Sequence, residues 1–508
     1  MKRAPRRVRK FAAPLLASLM IMLGHAGNGA AKADPAPVQA ILSTFAAISQ
    51  VPRCSKDEAR ISAWLVAWAR ERKLEVSTDA QANVLVRLAA APGWEARPGV
   101  VLQAHMDMVC LRTEDSMHDF AKDPIEIMRD GGWLRAKDTT LGADNGIGVA
   151  IALTVAEHLP ARHPRIEILF TTDEEKDMSG AAGLSPALLT GTRYINLDSE
   201  NDSVVTLGAA GGVHIDVDMP LDMTPLPPDM KVFSLKVSGL LGGHSGVDIG
   251  KNRAGANLLL AELLAGSAPF RLLAIAGGSV DNAIATSAEA LLAASPGDVA
   301  ALQKRVSNFT AEARTRYPAE TALEITLAAK ENGSGPAASA ENSARAVKLI
   351  AALPQGVTAW SEEFPNLPET SSNVGIVRSS GSAISVSAFP RSFHAENLEK
   401  MAAEIAAVAH GLGATSSQRG GFPAWPPRPG TGLYKAVLSS YERLFGSVMT
   451  TDVIHAGLEC GYIADRYPAM EIVSIGPNLL DVHTVHERLE VVSLGKIWSL
   501  LQEVLQAE

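Results

Sequence analysis

The chain reads as an α/β protein with a mostly parallel central sheet, helices on both faces and an inserted α+β domain, called the lid below after the resemblance that names it. Three observations predict this. Apolar runs of strand length alternate with segments of helical period, as in strands joined by helical crossovers. The pattern changes character after Asp202 and returns from Leu433, as an insertion into the sheet domain would make it. Five short groups of His, Asp and Glu also fall where apolar strands should be ending or helices beginning, the edge at which ligands gather in such sheets.

In chain order, the first segment is not part of the fold. Lys2, Arg3, Arg6, Arg7, Arg9 and Lys10 precede an apolar stretch, Phe11–Leu23, and then a small-residue tract ending Ala31-Lys32-Ala33. Basic region, short apolar region and A-x-A site together read as a signal peptide over residues 1–33, since the apolar stretch is too short for a comfortable membrane span. A membrane anchor is the competing reading. Residues 36–75 are helical in period, with Val38, Ile41, Leu42, Phe45 and Ile48 on one face and Ile61, Trp64 and Leu65 on the next. Strands are expected over Asn83–Leu88, Val100–Ala104, Ile166–Thr171 and Tyr194–Leu197, with a helix from Gly146 to Leu159 stopped by Pro160. The first part of the catalytic domain thus spans residues 34–210 and the lid 211–425. Within the lid, strands Val232–Val237, Leu323–Leu327 and Ala383–Ala388 and helices Ala254–Leu264, Ala344–Leu353 and Leu398–His410 suggest two similar α+β halves. Pro225–Pro228 and Glu331–Ala340 read as loops. Residues 426–508 complete the catalytic domain, with a helix from Leu433 to Phe445 and a core strand Glu471–Ile475.

Removing residues 1–33, which carry seven basic and no acidic side chains, moves the formal net charge from −9 to −16. So acidic a protein argues against nucleic acid or an anionic membrane surface as partner. Three cysteines, Cys54, Cys110 and Cys460, allow at most one disulfide, so the fold is not built on them. Cys110 and Cys460 lie beside the charged groups and are expected to be buried structural thiols.

The five groups read QAHMDM (103–108), TLGADNG (140–146), FTTDEE (170–175), NLDSE (196–200) and VHTVHE (482–487). His105 and Asp107 are i and i+2 at a strand end, so both point to one face. His105 can bind a metal through one ring nitrogen while Asp107 takes the other N–H and fixes the tautomer. Asp144 opens a helix, where a carboxylate gains from the dipole or acts as a plain N-cap. Two adjacent acids such as Glu174 and Glu175 repel unless positive charge lies near them. One as ligand and the other as general base is a division of labour that a metal would allow. Asp198 adds a third ligand carboxylate and His483 a second imidazole. Two divalent ions would be neutralised by three carboxylates and a bridging hydroxide, leaving Glu174 outside the ligand set. Mixed imidazole and carboxylate ligands suit Zn, with Mn or Co as alternatives.

These groups, together with GGHSGVDI (242–249), FPAW (422–425), HAGLECG (455–461) and IGPNLLDVHTVHE (475–487), resemble the M20 metallopeptidases and within them the Xaa-His, carnosinase-like dipeptidases. The similarity runs from about residue 36 to about residue 505. The resemblance implies that His105, Asp144 and Asp198 hold one metal and Asp144, Glu175 and His483 the other, with Asp144 bridging. It also implies Glu174 as general base, Asp107 as the orienter of His105, a cis peptide bond after Asp144, and His244 on the lid as a substrate-facing residue that stabilises the oxyanion. Arg391, in FPRSF, is a candidate for the substrate carboxylate because a guanidinium pairs with it through two hydrogen bonds; a surface arginine is the alternative. Asn282 and Glu459 are candidates for the pocket wall. Two positions depart from the dipeptidase pattern: NAIATSAEA after Asn282 lacks a Pro-Arg-Glu run, and HTVHE lacks an Asp before its Glu. Neither touches an expected ligand, so metal binding stands, but together they put substrate preference in question.

The expected function is therefore an exported, periplasmic or secreted di-metal peptidase acting on dipeptides. The leader once removed, no membrane partner is expected, and homodimer formation is left open. Tripeptide or N-acyl-amino-acid hydrolysis on the same core is the alternative activity. A non-catalytic peptide binder is the alternative class, disfavoured because a binder has no need of Glu174.

Overall fold

The structure, a computed structural model, describes residues 34–267, 269–330 and 335–507. The expected signal peptide lies outside the described residues. Among them no helix is long and apolar enough to cross a membrane.

Eight strands form the central sheet, in the spatial order Glu75–Thr78, Val84–Leu88, Ile166–Thr171, Val100–His105, Arg193–Asn196, Glu471–Ser474, Val204–Ala209 and Thr450–Ile454. The four middle strands run parallel. The sheet is mostly parallel, as expected, and carries an antiparallel edge, where Glu75–Thr78 and Val84–Leu88 pair antiparallel with each other and with the sheet. The reason is local. Asp79 accepts hydrogen bonds from the amides of Gln81 and Asn83, closing a turn too short for the crossover that parallel strands need. At the other side Glu471–Ser474 meets Val204–Ala209 antiparallel at the single pair Ser474 and Thr206.

Alternation along the strands feeds two apolar layers. Val100, Leu102, Ala104, Ile166, Ile168 and Phe170 pack with helices Ala36–Ile48, Ala143–Glu157 and Val491–Leu505. Leu85, Val101, Leu169 and Tyr194 face the opposite side, against Cys460 and Ile463 of the helix Cys460–Arg466. Both faces are thus covered, which accounts for the near-continuous apolar runs in sequence. The helix Ala143–Glu157 lies flush on the sheet. A Cβ on Gly148 would come within 2.8 Å of the Leu197 carbonyl and 1.8 Å of Asn145 Oδ1, so only glycine fits there.

The inserted region forms a second, eleven-stranded sheet with its own core, crossed by helices Ala256–Ala265, Val299–Arg316, Ala340–Ala352 and Ala395–Gly411. The two α+β halves expected from sequence share this one sheet. Strand Arg271–Gly277 pairs with Val374–Ser380 at Ala276–Arg378 and Gly277–Val377. The Arg378 guanidinium clamps the seam by donating to the carbonyls of Gly277 and Val377, each at 2.7 Å. The two expected loops are not entirely loops. Met223–Pro225 and Pro336–Ala338 pair as a two-stranded ribbon, held by Arg271, which donates to the Pro225 and Ala337 carbonyls at 3.1 and 2.8 Å.

The reading of Cys110 as a buried thiol is also corrected. Cys110 forms a disulfide with Cys54, their Cα atoms 5.7 Å apart, and Cys460 stays free and buried. The segment around Cys54 runs beside the end of the His105 strand, where the Met108 amide donates to the Arg53 carbonyl at 3.1 Å. That pairing sets the two cysteines side by side, a proximity across half a hundred residues that spacing alone could not reveal.

Candidate active site

The ends of three neighbouring strands, plus the helix start at Ala143 and the loop at His483, bring all five expected ligand residues together. Asp144 is the centre. Its Oδ1 lies 3.0 Å from His105 Nε2 and its Oδ2 lies 3.0 Å from His483 Nε2. Each imidazole has a second carboxylate beside it: Asp198 Oδ1 is 3.4 Å from His105 Nε2, and Glu175 Oε2 is 2.9 Å from His483 Nε2. The two halves are thus His105 with Asp198 and His483 with Glu175, sharing Asp144. The Asp144–Asn145 peptide bond is cis, as the resemblance implies. Asp144 therefore does not act as a plain helix cap.

Charge in this cluster is unbalanced. Burial alone would lower the His105 pKa, but Asp198, Asp107 and Asp144 outweigh it and hold the ring well above its ordinary value. Asp144 and Glu175 likewise push His483 up to about 11. Burial would raise Asp144, yet His105 and His483 hold it well below the carboxylate range. Burial raises Asp198 to about 6, with Asp144 and Glu175 adding to the rise against His105. Three acids facing two imidazoles demand positive charge between their nitrogen and oxygen atoms. Glu175 Oε1 is buried without a hydrogen-bond partner, a further lone pair available to a cation. This donor set fits a pair of divalent cations sharing one carboxylate.

Asp107 is fully buried, with Oδ1 3.3 Å from His105 Nδ1. It also accepts from the amides of Glu174 at 3.1 Å and Glu175 at 3.3 Å. Burial would raise its pKa, but His105, Ser55 and the Glu174 amide hold it below the ordinary value. One carboxylate therefore fixes both the first imidazole and the backbone of the adjacent acids. Glu174 itself is pushed well above the carboxylate range by burial and by Asp198, Glu175 and Glu459, against the pull of His105.

Behind the ligands lies a polar layer that sequence reasoning saw only in part. Glu459, an expected wall residue, is 3 % exposed and accepts from Gln103 at 2.8 Å and from Thr171 at 2.7 Å. Gln103 in turn accepts from Asn196 at 2.6 Å, and Asn196 Oδ1 accepts from the Asp198 amide at 3.2 Å. Asn145 donates to Asp198 from the other side. Three further residues were missed. Arg53, fully buried, donates to the carbonyls of Asp107 at 2.8 Å and of Gly142. Glu487 accepts from four backbone amides, and His455 hydrogen-bonds Ser371 at 2.7 Å. Glu487 and His455 stand within the quoted motifs VHTVHE and HAGLECG without a role read for either, and Arg53 left no signal at all.

The remaining expected residues sit on the lid, whose loop 242–249 closes onto the catalytic segment 455–461. A Cβ on Gly246 would come within 2.0 Å of the His455 carbonyl. His244 Nδ1 accepts from the amides of Gly246 and Val247 at 3.2 and 3.1 Å, so its proton resides on Nε2. Burial, then Arg391, lowers the His244 pKa to about 4 and the His455 pKa to about 3. Arg391 is not a surface arginine. It is 2 % exposed, with its guanidinium 4.2 Å from the Phe389 ring centroid and 3.5 Å from Ser245 Oγ. Asn282 lies beside His244 in a cleft that also includes Val280 and Thr286; its side chain is exposed while its carbonyl accepts from the Ser245 amide at 2.8 Å.

Comparison with known proteins gives concordant findings. The model of peptidase family M20/M25/M40 matches residues 101–507. The cytosol non-specific dipeptidase of Escherichia coli (strain K12) is 36 % identical over 472 residues, covering 92 % of this chain and 97 % of that protein. The solved aminoacylhistidine dipeptidase of Vibrio alginolyticus superposes with a TM-score of 0.86 at 34 % identity, over 93 % of this chain and 96 % of its own. A tripeptidase from Staphylococcus aureus shares the fold at 16 % identity and a TM-score of 0.52, over 92 % of this chain and 98 % of its own.

Proposed function

The chain belongs to peptidase family M20/M25/M40, and from that premise we propose that it is an exported dinuclear dipeptidase with Glu174 as its general base. The observation that carries this reading is the geometry of Asp144, with one oxygen 3.0 Å from each of two imidazoles that have their own carboxylates. His105 and Asp198 would hold one cation, His483 and Glu175 the other, and Asp144 both. Bound there, two divalent ions, Zn foremost, would supply the missing positive charge, acidify a water and polarise the scissile carbonyl. Glu174 takes the proton of the attacking water and returns it to the leaving amine, standing beside the ligand Glu175 with its backbone amide held by Asp107. His244 presents Nε2–H to the developing oxyanion, its other nitrogen being occupied by two backbone amides. Arg391 receives the terminal carboxylate of the peptide. The loop 242–249, resting on the segment 455–461, keeps water out once substrate is in place.

Dipeptides are the proposed substrate class, Xaa-His among them, because two relatives above 30 % identity carry those activities in their names. Export is supported by the basic and apolar order of residues 1–33 and by the Cys54–Cys110 disulfide, which needs an oxidising compartment to persist. The division at residues 210 and 425 is proposed on the two separate apolar cores.

Glu174→Gln tests the mechanism. Metal content should stay near wild type while hydrolysis falls by several orders of magnitude, and retained activity would remove Glu174 as the base. A panel of dipeptides, tripeptides and N-acyl amino acids tests the substrate class. Turnover of acyl amino acids alone would overturn the dipeptidase reading.

A further inference from the structure

Resting on that reading of the metal cluster, we infer that Glu487 is a positioning residue, which sets the shared Asp144 carboxylate by gathering four consecutive backbone amides.

The Glu487 carboxylate is 3 % exposed, and both of its oxygens are taken by backbone amides. Oε2 accepts from the amides of Leu141 and Gly142 at 2.8 and 2.9 Å. Oε1 accepts from Ala143 and Asp144 at 2.7 and 3.2 Å. These amides open the helix Ala143–Glu157, where backbone N–H groups lack partners within the helix and need an acceptor. The last of the four belongs to Asp144 itself. From the opposite side the Arg53 guanidinium takes the Gly142 carbonyl together with the Asp107 carbonyl. Carboxylate on the amide face and guanidinium on the carbonyl face leave the segment 141–144 one position. Gly142 is in the left-handed region at φ 65°, and a Cβ there would come within 2.6 Å of Arg53 Nη2.

Glu487 also ties that segment to the second half of the cluster. It lies in the same loop as His483, with the Glu487 amide donating to the Thr484 carbonyl at 3.2 Å. One loop therefore supplies the ring that meets Asp144 Oδ2 and the carboxylate that holds the Asp144 amide. The separation between the His105 side and the His483 side is set through Glu487 rather than by the ligands alone.

Glu487→Gln keeps the shape but turns an NH2 group towards amides that also donate. Co(II) is the probe, read by chelator competition on metal-free protein and by its d–d absorption. The variant should bind Co(II) about 10–100-fold more weakly, with shifted absorption bands. Glu490→Gln is the comparison, since that carboxylate holds Asn478 at 2.6 Å and does not touch the 141–144 segment. It should lower stability, if anything, without moving Co(II) affinity or spectrum. If Glu487→Gln does not fold, Glu487→Asp, which keeps the charge but falls short by one methylene, reads the same quantities. Wild-type affinity and spectrum in the Glu487 variant, with two ions bound in each, would overturn the role of Glu487. A wild-type protein that binds no Co(II) would overturn the reading of the cluster itself.

Discussion

Arg391 offers a prediction in which stability and catalysis should move apart. Its guanidinium is almost wholly buried, Nε has no hydrogen-bond partner, and burial pushes its pKa down to about 10. Ser245 at 3.5 Å is a poor substitute for a carboxylate. Replacing such a cation by methionine, similar in length and able to pack on Phe389, removes a desolvation cost. The free protein should therefore unfold no earlier than wild type. Binding should suffer instead. A charge-assisted hydrogen bond contributes about 1.5–3 kcal/mol, and a guanidinium can make two to a carboxylate. Less the cost of stripping water from the peptide terminus, a net loss on the order of 3 kcal/mol corresponds to about a hundredfold fall in kcat/KM. The assay compares a dipeptide with its C-terminal amide in both proteins. Arg391→Met should cost the free-acid dipeptide about two orders of magnitude and the amide hardly anything. Equal losses for both substrates would refute the reasoning, as would a variant that unfolds well before wild type.

Two further outcomes follow from other parts of the molecule. The His455 pKa is depressed to about 3 by burial, then by Arg391 and His244, so on acidification the unfolded chain takes up this proton first. Its stabilisation is present above the unfolded value near 6.5 and is lost as pH falls from there through about 3, amounting to about 2 kcal/mol at pH 5. His455→Gln should thus narrow the difference in urea stability between pH 7 and pH 5, and an unchanged difference would sink this account. The Cys54–Cys110 disulfide closes a loop with a sequence separation of 56. Reduction should lower stability by about 4 kcal/mol on loop-closure grounds. Denaturation with and without dithiothreitol measures this, with identical curves counting against it.

The five charged groups were legible because ligand residue types stood at the ends of recognisable strands. His105, Asp144, Glu175, Asp198 and His483 are all brought into one cluster. What holds them was not legible. Arg53 binds main-chain carbonyls and Glu487 binds main-chain amides, so neither has a partner side chain whose identity could betray it. Gln103 and Asn196 read as polar residues within apolar strands until the fold sets them 2.6 Å apart. The antiparallel edge of the sheet was not legible for a related reason. The turn that Asp79 closes by accepting from the Gln81 and Asn83 amides sets the direction of Glu75–Thr78 against Val84–Leu88, and strand hydropathy does not record direction. Cys54 carried no sign of its partner.

Asp144 and the His483 ring that meets it are 339 residues apart in the chain. Synthesis runs from the amino terminus, so His105, Asp144 and Asp198 are made long before His483 and Glu487 exist. Throughout that interval the nascent chain holds donors for one cation and lacks the loop that anchors their shared carboxylate. A message broken early, or a product clipped before residue 483, yields protein with half a centre. Hydrolysis by this peptidase thus waits until the loop that carries His483 and Glu487 has been made and has folded onto Asp144.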